Sequence, residues 1–176
     1  EALAEPDIEI REARQEVVLS TGARVGYDRL VLATGSKAVR LPVPGHTLPG
    51  VIAFRDLDDV DAMQRALPGA RAVVIGGGLL GIEAAYGLSK RGLAVTLIHI
   101  MPRLMERQLD MRAAALLKVA VESKGIEVVL EAQTAAIEGN GKAERVVLKD
   151  GRVFPADLVV MAAGIQPETA LAESGA

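Results

Sequence analysis

Arg71-Ala72-Val73-Val74-Ile75-Gly76-Gly77-Gly78-Leu79-Leu80-Gly81-Ile82-Glu83-Ala84-Ala85 is the stretch on which the fold turns. Its first five residues are mostly apolar and rich in β-branched side chains, the pattern of a strand covered on both faces in a parallel sheet. Glycines follow at once. A helix is predicted over residues 82–91, where Leu80, Ala84 and Leu88 recur at helical spacing and Gly92 stands at the place of a C-terminal cap. Ala94 to Ile98 supplies the next strand, so the segment reads as one β-α-β unit.

A G-x-G-x-x-G run alone is a weak signal, and the strand before it and the helix after it give it meaning. Gly76 permits the tight turn, Gly78 lacks a Cβ so that the backbone can approach a pyrophosphate, and Gly81 lets the helix pack close against the strand. With Gly77, Leu79 and Leu80 they form a loop whose unpaired N–H groups face an anion, aided by a helix dipole of roughly half a charge. Dinucleotide binding is the expectation; a glycine turn chosen only for packing is the competing reading.

The end of the second strand, about 20 residues past the glycines, commonly carries an acid that accepts hydrogen bonds from the adenosine ribose. His99 stands there instead. A carboxylate would repel a 2′-phosphate, whereas His99 with Arg103 nearby tolerates or attracts one, which tilts the expectation toward NADPH. The alternative is a solvated polar residue with Arg103 merely on the surface. Glu83, read on the first helical turn, is either an acid favoured by the helix dipole or a contact to the nicotinamide amide. Gly164 would let backbone approach the same cofactor.

An internal repeat extends the reading. At a fixed offset of about 129 residues Val17 faces Val146, Gly22 faces Gly151, Asp28 faces Asp157, Val31 faces Val160 and Gly35 faces Gly164. Each copy runs hairpin, acid, apolar strand, Ala-x-Gly. Two related nucleotide domains are therefore expected, with Thr34 and Gly35 serving in the first the role of Gly164 in the second. The first copy's glycine loop would fall before Glu1. Together with a strand-like opening and no initial Met, this suggests a fragment. Residues 1–50 read as the C-terminal part of a truncated domain plus a Pro-rich linker, 51–167 as the second domain, and 168–176 as the start of a return into the first.

Within the second domain, residues 111–124 read as an amphipathic helix closed by Gly125, and residues 126–130 as a strand. A short meander then turns at Asp150-Gly151, a pair suited to a type I′ turn, and residues 157–161 return as a core strand. The order argues for an α/β fold: a doubly wound, Rossmann-like parallel sheet with an antiparallel β meander.

Composition narrows the function. The net charge of -3 and pI near 5.5 carry no footprint for nucleic acid. The absence of cysteine removes disulfides and thiolate or iron–sulfur ligation. No apolar run approaches the roughly 20 residues of a membrane span, and no secretory segment opens the chain, so a cytoplasmic location without a membrane partner is expected. Two histidines give little material for a metal cage or a hydrolytic triad, and no metal ligand or catalytic side chain is assigned. Met101, Met105 and Met111 read as gap-filling or edge residues, and Glu106 and Asp110 as a solvated face.

Residues 27–35, Tyr-Asp-Arg-Leu-Val-Leu-Ala-Thr-Gly, resemble the FAD-domain segment of the FAD-dependent pyridine nucleotide oxidoreductase superfamily, and residues 74–85 resemble its NAD(P)H loop. The likeness covers essentially the whole chain. Residues 48–51, 54–60 and 102–110 look most like its nitrite reductase branch, with rubredoxin and ferredoxin reductases next. The resemblance implies that the truncated first domain binds FAD, that Glu83 lies beside the nicotinamide, and that hydride passes from NADH or NADPH to a flavin held mainly outside these residues. It further implies an electron-acceptor domain with siroheme and iron–sulfur centres in a parent enzyme reducing nitrite to ammonium, the isolated fragment being inactive. A rubredoxin or ferredoxin reductase and a non-catalytic nucleotide sensor are the rival readings.

Overall fold

The computed structural model describes residues 8–174; residues 1–7, where the strand-like opening begins, lie outside them. By internal contacts the chain divides into one unit of residues 38–165 and another of residues 1–37 with 166–176.

In the smaller unit, β1 (Glu9–Arg11), β2 (Glu16–Val18) and β3 (Arg24–Gly26) form an antiparallel meander. Gly22, at φ 79°, turns β2 toward β3 as the repeat anticipates. The apolar strand expected over residues 30–33 is not formed: no described strand pairs with it, and Val31 is 85% exposed. A strand is stabilised by neighbours that take its backbone hydrogen bonds and cover its faces, and among the described residues no strand does so for this segment. Next comes β4 (Ser36–Ala38).

The larger unit is built in chain order from β5 (Val51–Ala53), α1 (Leu57–Gln64), β6 (Arg71–Ile75), α2 (Leu79–Lys90), β7 (Ala94–Ile98), α3 (Met111–Glu122) and β8 (Ile126–Val129). It continues through β9 (Thr134–Glu138), β10 (Arg145–Leu148), β11 (Val153–Pro155) and β12 (Leu158–Met161). Beyond it lie β13 (Ile165–Pro167) and α4 (Ala170–Ser174). β5, β12, β6, β7 and β8 lie side by side in that order, all parallel.

Period-two alternation sends side chains of each strand to opposite faces. Ala72 and Val74 of β6 join Ala84, Ala85 and Leu88 of α2 and Val121 of α3 in one core. Val73 and Ile75 join Ile137, Val146 and Leu148 of the β9–β10–β11 meander in the other. Helices thus cover one face and the meander the second, which is why β6 and β12 are apolar along almost their whole length. The Pro-rich stretch straps the meander: the Pro44 and Pro49 carbonyls accept from Ile137 and Ala143 N–H at 2.8 Å each, and Leu41, Val43 and Leu48 pack on the second core.

Two local readings are corrected. The hairpin is not type I′, because Gly151 has φ 88° but Asp150 is not among the residues with positive φ. Gly151 N–H bonds to Leu148 C=O and Leu148 N–H to Arg152 C=O, so a longer turn ends in one left-handed glycine. Asp150 instead accepts from Arg152 N–H at 3.0 Å. α2 starts at Leu79, with no acid in its first turn, so Glu83 lies on the second turn and loses the helix-dipole rationale.

Candidate functional site

In a parallel sheet all strands end at one edge, and here that edge carries Phe54 after β5, Gly76 after β6, His99 after β7 and residues 162–164 after β12. Such an edge is where doubly wound sheets bind ligands. Gly76 has φ 126°, and a Cβ on it would sit 2.2 Å from the Ala162 carbonyl oxygen. A Cβ on Gly81 would sit 1.7 Å from the Gly76 oxygen. Both positions therefore exclude side chains for packing reasons alone.

Gly78 differs. It is the N-cap of α2 with ordinary extended backbone (φ −81°, ψ −174°), no side chain caps the helix, and a Cβ there would meet nothing within 4 Å. The first-turn amides of α2 at Leu79, Leu80 and Gly81 have no acceptor within the helix, and the space in front of Gly78 is open. Leu79 and Leu80 are exposed, with Glu83, also exposed, three and four residues further along the same helix face. Leu80 also borders a shallow cavity of about 280 Å³ lined by Phe54, Arg55, Asp56, Leu57 and Val60. Here Asp56 and Asp59 form a capping box that starts α1.

Gly77 is held on every side. Its N–H donates to His99 Nδ1 at 3.0 Å, its C=O accepts from Met105 N–H at 2.9 Å, and a Cβ would fall 2.6 Å from His99 Cγ and 2.7 Å from Leu104 Cδ2. Met105 reaches it with a left-handed backbone, φ 49°. His99 is buried, 7% exposed. Since a peptide N–H can only donate, Nδ1 is the acceptor and Nε2 carries the hydrogen that it gives to Glu106 Oε2 at 3.0 Å. Both ring nitrogens are committed, so the expectation of a histidine offered to a 2′-phosphate lacks a free donor. Arg103 gives Nη2 to the Glu106 carbonyl at 3.1 Å, and its Nε is buried without a partner.

Glu106 and Asp110, read as a solvated face, do separate work. Asp110 caps α3 by accepting from Ala113 N–H at 2.8 Å. Burial pushes the Glu106 carboxyl up, but bonds from its own backbone N–H and from His99, with Arg107 nearby, outweigh this and hold it below the usual value. Glu106 is the residue missed by periodicity; its signal is an acid in the loop that follows a histidine at a strand end.

The structure thus gathers Gly76, Gly77, Gly78, Leu79, Leu80, Gly81, His99 and Arg103 at one edge, with Ala162 against Gly76 and Gly164 (φ 121°) two residues beyond. Thr34 and Gly35 belong to the other unit, where Thr34 Oγ1 donates to the Glu168 carbonyl at 2.6 Å and Gly35 C=O accepts from Glu168 N–H at 3.0 Å.

Fold and edge together define a Rossmann-like domain of the FAD/NAD(P)-binding type. Residues 2–176 match the family described as pyridine nucleotide-disulphide oxidoreductase, and the chain belongs to it. It is 48% identical over 167 residues to nitrite reductase [NAD(P)H] of Bacillus subtilis (strain 168), matching 93% of this chain and 21% of that protein. It is 39% identical over 180 residues to rubredoxin-NAD(+) reductase of Ectopseudomonas oleovorans, covering 99% of this chain and 46% of the relative. Among solved structures, the ferredoxin reductase for the CYP199A2 system from Rhodopseudomonas palustris superposes with a TM-score of 0.89 at 30% identity, over 98% of this chain and 43% of that one. The chain therefore spans between about a fifth and just under half of these relatives. No helix among the described residues is long and apolar enough to cross a membrane.

Proposed function

We propose that the chain is the NAD(P)H-binding part of a flavoprotein reductase, and that the whole protein uses the electrons to reduce nitrite to ammonium in the cytoplasm. The observation that carries the reading is the open, uncapped start of α2 at Gly78. A paired phosphate fits there: the amides of Leu79, Leu80 and Gly81 donate to it, and Gly78 leaves the approach clear. Gly164 borders the ligand from β12, and Glu83, on the same exposed face as Leu79, meets the nicotinamide amide. Thr34 and Gly35, in residues 1–50, serve the flavin nucleotide, with 168–176 returning to that FAD domain and 51–167 forming the NAD(P)H domain. When bound, NAD(P)H supplies hydride and FAD accepts it; the protein's share is positioning. Siroheme and iron–sulfur centres need ligands beyond these 176 residues, which hold no cysteine.

The 48% identity to a nitrite reductase supports nitrite as the end point. The 39% identity to a rubredoxin reductase supports a second reading, delivery to a small iron protein. The test is the flavin-loaded whole protein with and without G78V. Wild type reduces its flavin with NAD(P)H and then consumes nitrite; G78V melts at the same temperature but loses nucleotide binding and flavin reduction. Unchanged affinity in G78V refutes the site. Electrons passing to rubredoxin or ferredoxin but not nitrite select the second reading, and bound nucleotide without flavin reduction selects the sensor.

A further inference from the structure

We infer that Glu106 is the residue that selects the adenosine ribose, making the site one for dinucleotides with a free 2′-hydroxyl and against those with a 2′-phosphate. The inference rests on the proposed dinucleotide site and deepens it. In doubly wound sheets an acid at the end of the second strand accepts hydrogen bonds from the ribose. In this chain His99 occupies that place, buried and committed at both nitrogens. The carboxylate arrives from the following loop instead. One imidazole ring separates the Gly77 N–H, 3.0 Å from Nδ1, from the Glu106 carboxylate, 3.0 Å from Nε2. A second link fixes the register: Met105, the neighbour of Glu106, gives its N–H to the Gly77 carbonyl at 2.9 Å. Glu106 is thereby tied to the phosphate loop through side chain and backbone, while its side chain stays 23% exposed and able to meet solvent or ligand.

Arg103, the nearby cation, does not reverse the preference. It donates Nη2 to the Glu106 carbonyl and has Nε buried, so part of its guanidinium is committed inside the loop; Arg107, exposed beside Glu106, is the cation whose charge the acid must outweigh. A carboxylate accepts from ribose hydroxyls and opposes a phosphate of like charge, which is selection by an attractive and a repulsive element at once.

The test is calorimetry of the chain with ADP-ribose and 2′-phospho-ADP-ribose, which lack nicotinamide and need no turnover. Wild type is expected to favour ADP-ribose by about tenfold or more. E106Q keeps an acceptor for His99 Nε2 but removes the charge, and is expected to bring the two affinities within about threefold of each other. E106A is expected to shift the ratio in the same direction while weakening both ligands, because His99 loses its acceptor. A wild type that favours the 2′-phosphate, or an E106Q ratio equal to wild type, overturns the assignment and leaves the dinucleotide site standing. A wild type that binds neither ligand overturns both.

Discussion

Val31 and Val160 occupy the same place in the two copies of the internal repeat, yet Val31 is 85% exposed and Val160 fully buried. The flanking pattern is shared: each follows an acid and precedes an Ala-x-Gly end. What differs is company. Val160 lies in β12 between β5 and β6, whereas no described strand pairs with residues 30–33. The same local pattern stands in a core strand where described neighbours take its hydrogen bonds and cover its faces, and outside any strand where none of the described residues does.

The largest contrast between the copies is expected at the valines. V160D places a charge in the first core and is expected to cost at least about 4 kcal/mol, enough to unfold the larger unit; V31D is expected to change stability by no more than about 0.5 kcal/mol. Urea denaturation followed by circular dichroism reads both, and equal losses would break the comparison.

A smaller contrast is expected at the acids. Asp157 takes three bonds from Arg71, from N at 3.0 Å, Nε at 2.9 Å and Nη2 at 2.7 Å, joining the starts of β6 and β12. The bonds from Arg71 lower the Asp157 pKa to about 2. With both side chains roughly half exposed, D157N is expected to cost only about 1.5 kcal/mol, and D28N close to nothing. Because the folded pKa lies below the ordinary value of about 3.9, this stabilisation is complete above that pH and is lost as pH falls through about 2. The gap between wild type and D157N should therefore close over that window, and a gap that persists at pH 2 contradicts the ion pair. The smallest effect is expected where the copies agree. Gly35 at φ 76° and Gly164 at φ 121° both have open surroundings, so G35A and G164A should each cost about 1 kcal/mol through backbone strain alone, measured by the same denaturation series.

Legibility follows the same physics. β6 and β7 were readable to the residue because a short apolar run bounded by glycines is a local signal. The glycine loop was readable too, since Gly76 and Gly81 are demanded by close approach of backbone to backbone. His99 was legible as a strand end but not as a buried link, because its partners lie 22 residues before it and 7 after it. Neither the Gly77 contact nor the Glu106 pair follows any periodicity. The Asp150-Gly151 turn failed for a related reason: the dipeptide allows type I′, but the pairing of Leu148 with Arg152 selects a longer turn.

The central claim is that a dinucleotide's phosphates rest on the bare amides after Gly78, and backbone amide resonances observed during ADP-ribose titration test it most directly. Saturable shifts largest at Gly78, Leu79, Leu80 and Gly81, with the β1–β2 segment unmoved, are the predicted result. Saturable binding that leaves those four amides in place and moves others would contradict it.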